Sequence, residues 1–239
     1  MSGSITLENR FGVNKMELIS LKYAIFVIVL LVLYYCFPKK YRWYVLLAGS
    51  MAYYVIICKW YVLFIIFTIC TTYGSTIWID KLLKKQNAIV KSHKEDWDRQ
   101  TRKEYKEKGR KKRVAVMLFA LLCNFGILAF LKYIPYAGEI GLLLPLGISF
   151  YTFQSMGYVM DVYREIVEPE KNFLKVALFV SFFPQIIQGP IAIYDKLAGQ
   201  LYEGHSLRLE NLQKGALLVL WGVMKKLVIA DRAVNIINF

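Results

Sequence analysis

Acid–base chemistry near neutral pH draws first on histidine, and this chain carries two, His93 and His205. His205 lies in Leu201-Tyr202-Glu203-Gly204-His205-Ser206-Leu207-Arg208, where a carboxylate, an imidazole and a hydroxyl follow one another. Neighbours in sequence rarely converge on one point, and Gly204 marks a loop or a helix start. We therefore read His205 as a loop residue, with Ser206 capping the helix that follows. His93 sits among Lys and Glu, the setting of a solvated side chain. Cys36, Cys58, Cys70 and Cys123 lie in or beside apolar runs, at spacings no metal motif uses, and read as small buried residues. No metal site is expected, and none of these residues is assigned a catalytic role.

Polar groups inside apolar runs carry more information, because an unsatisfied polar atom in hydrocarbon costs several kcal/mol. Three segments stand out. In Leu144–Arg164, helical spacing puts Gly147, Tyr151, Gln154 (or Ser155) and Tyr158 on one face. That face suits either a helix–helix interface held by small and polar residues or the wall of an internal cavity. In Phe182–Ile191 (FFPQIIQGPI), two prolines and a glycine within ten residues forbid a regular crossing helix. The segment is either broken or re-entrant, or a helix end followed by a proline-started element. In Trp221–Arg232, Lys225 and Lys226 fall inside an apolar run. They must snorkel, face a cavity or meet a carboxylate such as Asp231. Tyr151, Gln154, Gln188 and Lys225 are the cavity-lining candidates.

The elements that position these residues are apolar blocks, to be compared with the ~20 residues that cross a bilayer core. Uncharged runs cover Tyr23–Phe37, Tyr44–Ile57, Trp60–Ile79, Val114–Leu131 and Leu142–Met160; Phe173–Tyr194 and Ala216–Ala230 are interrupted. The first run ends in Phe-Pro-Lys-Lys rather than a small-residue cleavage site, and reads as a retained helix. Residues AVILMFWYC make up 57% of the 239 positions, which excludes a disordered chain, and four Cys are too few for a disulfide scaffold. The blocked distribution also argues against a soluble enzyme. The fold class is all-α, a polytopic integral membrane protein with a broken or re-entrant segment near 182–191.

The formal charge is +14. Lys81–Arg113 alone holds 14 Lys/Arg against 5 Asp/Glu. Interleaved acids, and only Trp97 and Tyr105 as aromatics, argue against a nucleic-acid surface, so no nucleic-acid partner is expected. The stretch reads as an amphipathic or helical loop that fixes orientation and touches anionic lipid. Lys39, Lys40 and Arg42 form a second basic turn, two crossings away and therefore on the same side. The expected layout is an extracellular tail over 1–22, three transmembrane helices over 23–80, a basic cytoplasmic loop over 81–113 and core helices over 114–239. This is a multi-pass plasma-membrane protein with its N-terminus outside.

Taken in order, Gly147–Arg164 (GISFYTFQSMGYVMDVYR), Phe182–Ile191 (FFPQIIQGPI) and Trp221–Arg232 (WGVMKKLVIADR) resemble the membrane-bound O-acyltransferase (MBOAT) family. The nearer likeness is to its bacterial branch with the alginate O-acetyltransferase membrane subunit and the teichoic-acid D-alanyl transferase. The resemblance runs from about Tyr23 to the end. It implies part of a helical bundle with a tunnel through the bilayer. It further implies acyl transfer, here O-acetyl transfer, from a thioester such as acetyl-CoA or an acyl carrier to a hydroxyl of an extracellular polysaccharide. Membrane lipid and an extracellular acetyltransferase protein are the implied partners. The family's catalytic histidine lies in a Trp/Arg-rich motif well after the segment matching Trp221–Arg232. It is expected beyond Phe239, so the chain resembles an N-terminal half and no catalytic residue is carried over. The competing expectations are a truncated or degenerate non-enzymatic membrane scaffold, or a transporter of glycan precursors.

Overall fold

The computed structural model describes residues 21–93, 96–133, 145 and 147–230, apart from the side chains of Ile187, Gln188, Leu227 and Ala230. The expected tail over 1–22 falls mostly outside these residues, and the Asp231 partner for Lys226 wholly so. Every regular element among the described residues is helical. Two compact units are present.

The first unit, over 43–202, contains α2 (Arg42–Cys58), α3 (Val62–Ser92), α4 (Arg99–Tyr133), α5 (Ile148–Tyr163), α6 (Phe173–Ser181), α7 (Phe183–Gln188) and α8 (Tyr194–Tyr202). Lys59, with φ of 47°, interrupts the helical path between α2 and α3. Helix α3 is the hub and packs against α4, α5 and α6. Its contact face carries Thr68, Thr72, Ser75 and Thr76, all buried and recurring at helical spacing. Small residues let backbones approach, and the Ser75 and Thr76 hydroxyls donate to the Thr72 carbonyl at 3.0 and 2.9 Å, which satisfies them within their own helix. Asn124 on α4 donates through Nδ2 to Thr71 Oγ1 at 2.9 Å and to the Ala120 carbonyl at 2.8 Å. Gln86 Nε2 donates to the Lys106 carbonyl further along, at 3.0 Å. Contacts 71–124 and 86–106 establish that α3 and α4 run antiparallel.

The basic stretch 81–113 is largely two helix ends. Helix α3 runs on to Ser92 and α4 starts at Arg99. Gly109 sits where any side chain would overlap Gln86, so the helices stay in close contact beyond their apolar parts. At the tip, His93 does more than meet solvent. Its ring stacks on Trp97 with centroids 4.9 Å apart, and Nδ1 lies 3.1 Å from the Ile89 carbonyl.

Helix α5 ends in a Schellman turn: Ile166 N–H donates to the Asp161 carbonyl at 3.0 Å and Glu165 N–H to the Val162 carbonyl at 3.1 Å. The left-handed position is Glu165, φ 63°, where glycine is usual. The carboxylate offsets that strain by accepting from Nη1 of the buried Arg113 at 2.8 Å. Both Glu165→Ala and Glu165→Gly remove this pair, but only glycine removes the left-handed strain of about 1–2 kcal/mol. The glycine variant is therefore expected to melt several degrees above the alanine variant in detergent, and equal melting points would refute this account.

The second unit contains α1 (Leu21–Cys36) and α9 (Leu209–Met224), the latter continuing as a π-helix over Lys225–Ala230. Arg42 organises it. Its guanidinium lies 5.3 and 5.1 Å from the ring centroids of Tyr34 and Tyr35, Nε donates to the Phe37 carbonyl at 2.9 Å, and Nη1 donates to the His205 carbonyl. Gly204 passes over Lys39 so closely that a Cβ would lie 2.5 Å from its carbonyl oxygen. His205 is exposed in the non-helical 203–208 connection. Ser206 does not cap the next helix. That helix starts later, at Leu209, flanked by an extended Arg208 with no side-chain cap.

Two helical stretches, Lys39–Ser92 and Arg99–Tyr133, are long and apolar enough to cross a bilayer. Only 33% and 22% of their most apolar windows are buried within the protein. Ile28 and Val32 on α1 and Leu217–Leu220 on α9 are likewise exposed. Lipid is the solvent in which such faces are stable.

Candidate functional site

Proline at position 184 cannot continue α6, because its ring would strike the carbonyl four residues back and it has no N–H to donate. Helix α6 accordingly ends at Ser181, Phe182 departs to φ −58°, ψ 104°, and α7 restarts at Phe183 with the proline in its first turn. The chain then becomes extended at Gly189, φ −78°, ψ 163°, as the residue before Pro190 favours. A break of this kind leaves carbonyls and N–H groups orphaned at buried positions.

Two neighbours satisfy them. Gln154 on α5, only 4% exposed, donates Nε2 to the Phe179 carbonyl at 2.8 Å. Ser50 on α2 accepts from Phe183 N–H at 3.4 Å through Oγ. Helix α5 begins at Gly147, φ 71°, where a Cβ would collide with the Ile186 side chain and carbonyl. The first two segments singled out by sequence thus meet: the polar face of α5 supports the break between α6 and α7. Tyr151 lies on the same buried face, its ring edge-on to Tyr54 at 6.3 Å. Thr72 on α3, Ser155 on α5 and Ser181 on α6 are fully buried, and their hydroxyl oxygens have no protein partner among the described residues. Each such group costs about 1–3 kcal/mol, which packing alone would not retain.

Gln188 and Lys225 are the remaining candidates. The Gln188 backbone ends α7, and its side chain is outside those described. Lys225 belongs to the second unit, is exposed, and holds Nζ 5.2 Å above the Trp221 ring. Sequence reasoning did not find a tyrosine cluster beside the break. Tyr158 stacks on Tyr194 at 4.1 Å, and its hydroxyl accepts from Glu170 N–H at 2.8 Å. Tyr202 donates to the Lys175 carbonyl at 2.9 Å, beneath the Lys175 ammonium at 4.8 Å from its ring. The available signal was the pair of tyrosines bracketing the short amphipathic stretch 194–202. No group of His, Cys, Asp and Glu among the described residues could hold a metal ion.

A polar-faced helix bracing a proline-broken one, within helices that expose apolar faces, defines an all-α membrane protein with hydrogen-bonding groups in its interior. Sequence comparison narrows this. The chain is similar to the probable alginate O-acetylase AlgI of Pseudomonas syringae, 40% identical over 37% of this chain and 17% of that protein. It is similar to the peptidoglycan O-acetyltransferase of Helicobacter pylori, 30% identical over 52% of this chain and 31% of that protein. To the probable AlgI of Pseudomonas putida it is 34% identical over 48% of this chain and 22% of that protein. The matched part therefore spans less than a third of these relatives' own length. No family model matches the chain, and no solved structure does.

Proposed function

We propose that the chain forms part of a membrane O-acetyltransferase that moves an acetyl group from a thioester, acetyl-CoA or an acyl carrier, to a hydroxyl of an extracellular polysaccharide. The observation that carries the reading is similarity to relatives whose names all specify O-acetyl transfer to a polysaccharide. In the reaction the acceptor oxygen attacks the thioester carbonyl, a C–O bond forms, the C–S bond breaks, and the acceptor proton passes to the leaving thiolate. The family resemblance implies a histidine as the relay of that proton, and none of the described residues is assigned that role. The described residues would supply a polar interior: Gln154, Tyr151, Ser155 and Ser181 around the break, in surroundings that exclude water. The basic hairpin would lie on the cytoplasmic side, where the donor is made, and an extracellular acetyltransferase protein could receive the group on the other.

Disrupting the gene in its own cells should remove alkali-labile acetate from the surface polysaccharide, and re-expression should restore it. Unchanged acetate accompanied by accumulation of lipid-linked glycan precursors would overturn the proposal and favour transport.

A further inference from the structure

Helices α3 and α4 both pass from apolar to basic sequence at one level: Trp78-Ile79-Asp80-Lys81 on α3, and Lys111-Lys112-Arg113-Val114 on α4. At that level a groove of about 430 Å³ opens between them, lined by Trp78, Leu82, Lys112, Ala115, Val116 and Phe119. Five of the six are apolar and the sixth is a cation. Trp78 is 57% exposed and Phe119 66%, so the groove faces the surroundings of the helix pair.

The nearby charges are unevenly committed. Asp80 is held by Lys84 at 2.5 Å, and Arg113 by Glu165 at 2.8 Å. Lys112 and Lys108, one helical turn apart, are exposed and have no carboxylate within ion-pair distance among the described residues. The groove therefore offers a hydrocarbon slot with uncompensated positive charge at its rim, at the height where acyl chains give way to headgroups. Tryptophan and lysine are the side chains that favour this boundary. A nucleotide would require several polar groups to hold its base and ribose, and Lys112 is the one polar side chain in the lining.

We propose that this groove binds one anionic phospholipid, with an acyl chain along Leu82, Val116 and Phe119 and the phosphate against Lys112. The apolar slot provides affinity common to all phospholipids, and the lysines select for negative charge. This site does not depend on the acetyl-transfer reading.

Native mass spectrometry of the full chain, released from micelles containing phosphatidylglycerol or phosphatidylcholine with identical tails, tests it. The wild type should retain one phosphatidylglycerol in preference to phosphatidylcholine. Lys112→Glu should lower phosphatidylglycerol retention about fivefold or more, from the ~1 kcal/mol each basic residue contributes near an anionic surface, with phosphatidylcholine unaffected. Ala115→Trp, which fills the slot from an exposed position, should lower both. Lys91→Glu lies nine residues beyond Leu82, about 14 Å along the helix, and should change neither. Brominated-tail phosphatidylglycerol should quench wild-type tryptophan emission more than that of Trp78→Phe, a measurement that needs no groove-filling variant. Equal retention of the two lipids, or equal losses from Lys91→Glu and Lys112→Glu, would overturn the proposal and leave only a diffuse charge effect.

Discussion

Gly147→Val is expected to prevent the first unit from packing. The position has φ 71°, ψ 10°, a left-handed conformation that costs an L-residue about 1–2 kcal/mol. A Cβ there would also overlap both the Ile186 side chain and the Ile186 carbonyl oxygen. Overpacking of a tight site adds about 1–3 kcal/mol, so the sum is a large fraction of the ~5–15 kcal/mol stability of a typical domain. The measurement is the yield of monodisperse protein on size exclusion in detergent, with its melting point. A second substitution makes the cause specific. Gly147→Ala combined with Ile186→Ala removes the side-chain overlap but leaves the carbonyl and the left-handed strain, so rescue should be partial at most. Full recovery would mean that the backbone contact is unimportant.

Gln154→Met should lower the melting point by about 2–12 °C, from roughly 1–3 kcal/mol at 2–4 °C per kcal/mol for a chain of this size. Hydrogen bonds between transmembrane helices contribute on average only about 0.6 kcal/mol, because each partner finds an alternative when the other is lost. The Phe179 carbonyl lies in the last turn before the break. Its regular intrahelical donor would be Phe183 N–H, which the break has redirected to Ser50 Oγ. Methionine has glutamine's approximate shape and no donor, so it removes the bond without opening a cavity. A fall of only about 1–2 °C or less would show the tie to be no stronger than the average.

The locations of these two sites were readable from sequence, because the causes are local. Pro184, Gly189 and Pro190 forbid a regular helix wherever they occur, and Tyr151, Gln154 and Tyr158 share a face by spacing alone. The partners were not readable. That Gln154 would meet the Phe179 carbonyl, or Gly147 the Ile186 backbone, depends on how α5 lies across α6 and α7, which spacing does not encode. The basic stretch shows a related limit. Its composition marks it as lying outside the apolar region, yet continuation of α3 to Ser92 depends on Gln86 and Gly109 keeping two charged helices in contact. Ser206 had the right residue type for a cap, but the 203–208 connection is held by Arg42, and the helix starts three residues later. Tyr158 was placed on that face by spacing, but its partners Tyr194 and Tyr202 went unnoticed because each looks unremarkable in its own segment.

The contacts of the first unit also differ in how much chain must be made before they can form. Gln86 meets Lys106 after 20 residues and Thr71 meets Asn124 after 53, whereas Ser50 cannot meet Phe183 until 133 residues later. Closing a longer loop costs more entropy, and chains acquire their short-range contacts first. On the ribosome the α3–α4 pair is therefore complete while α2 still lacks its partner. The contact that ties α2 to the stretch around Pro184 forms late, so until then the amides at the break depend on the insertion machinery for shielding.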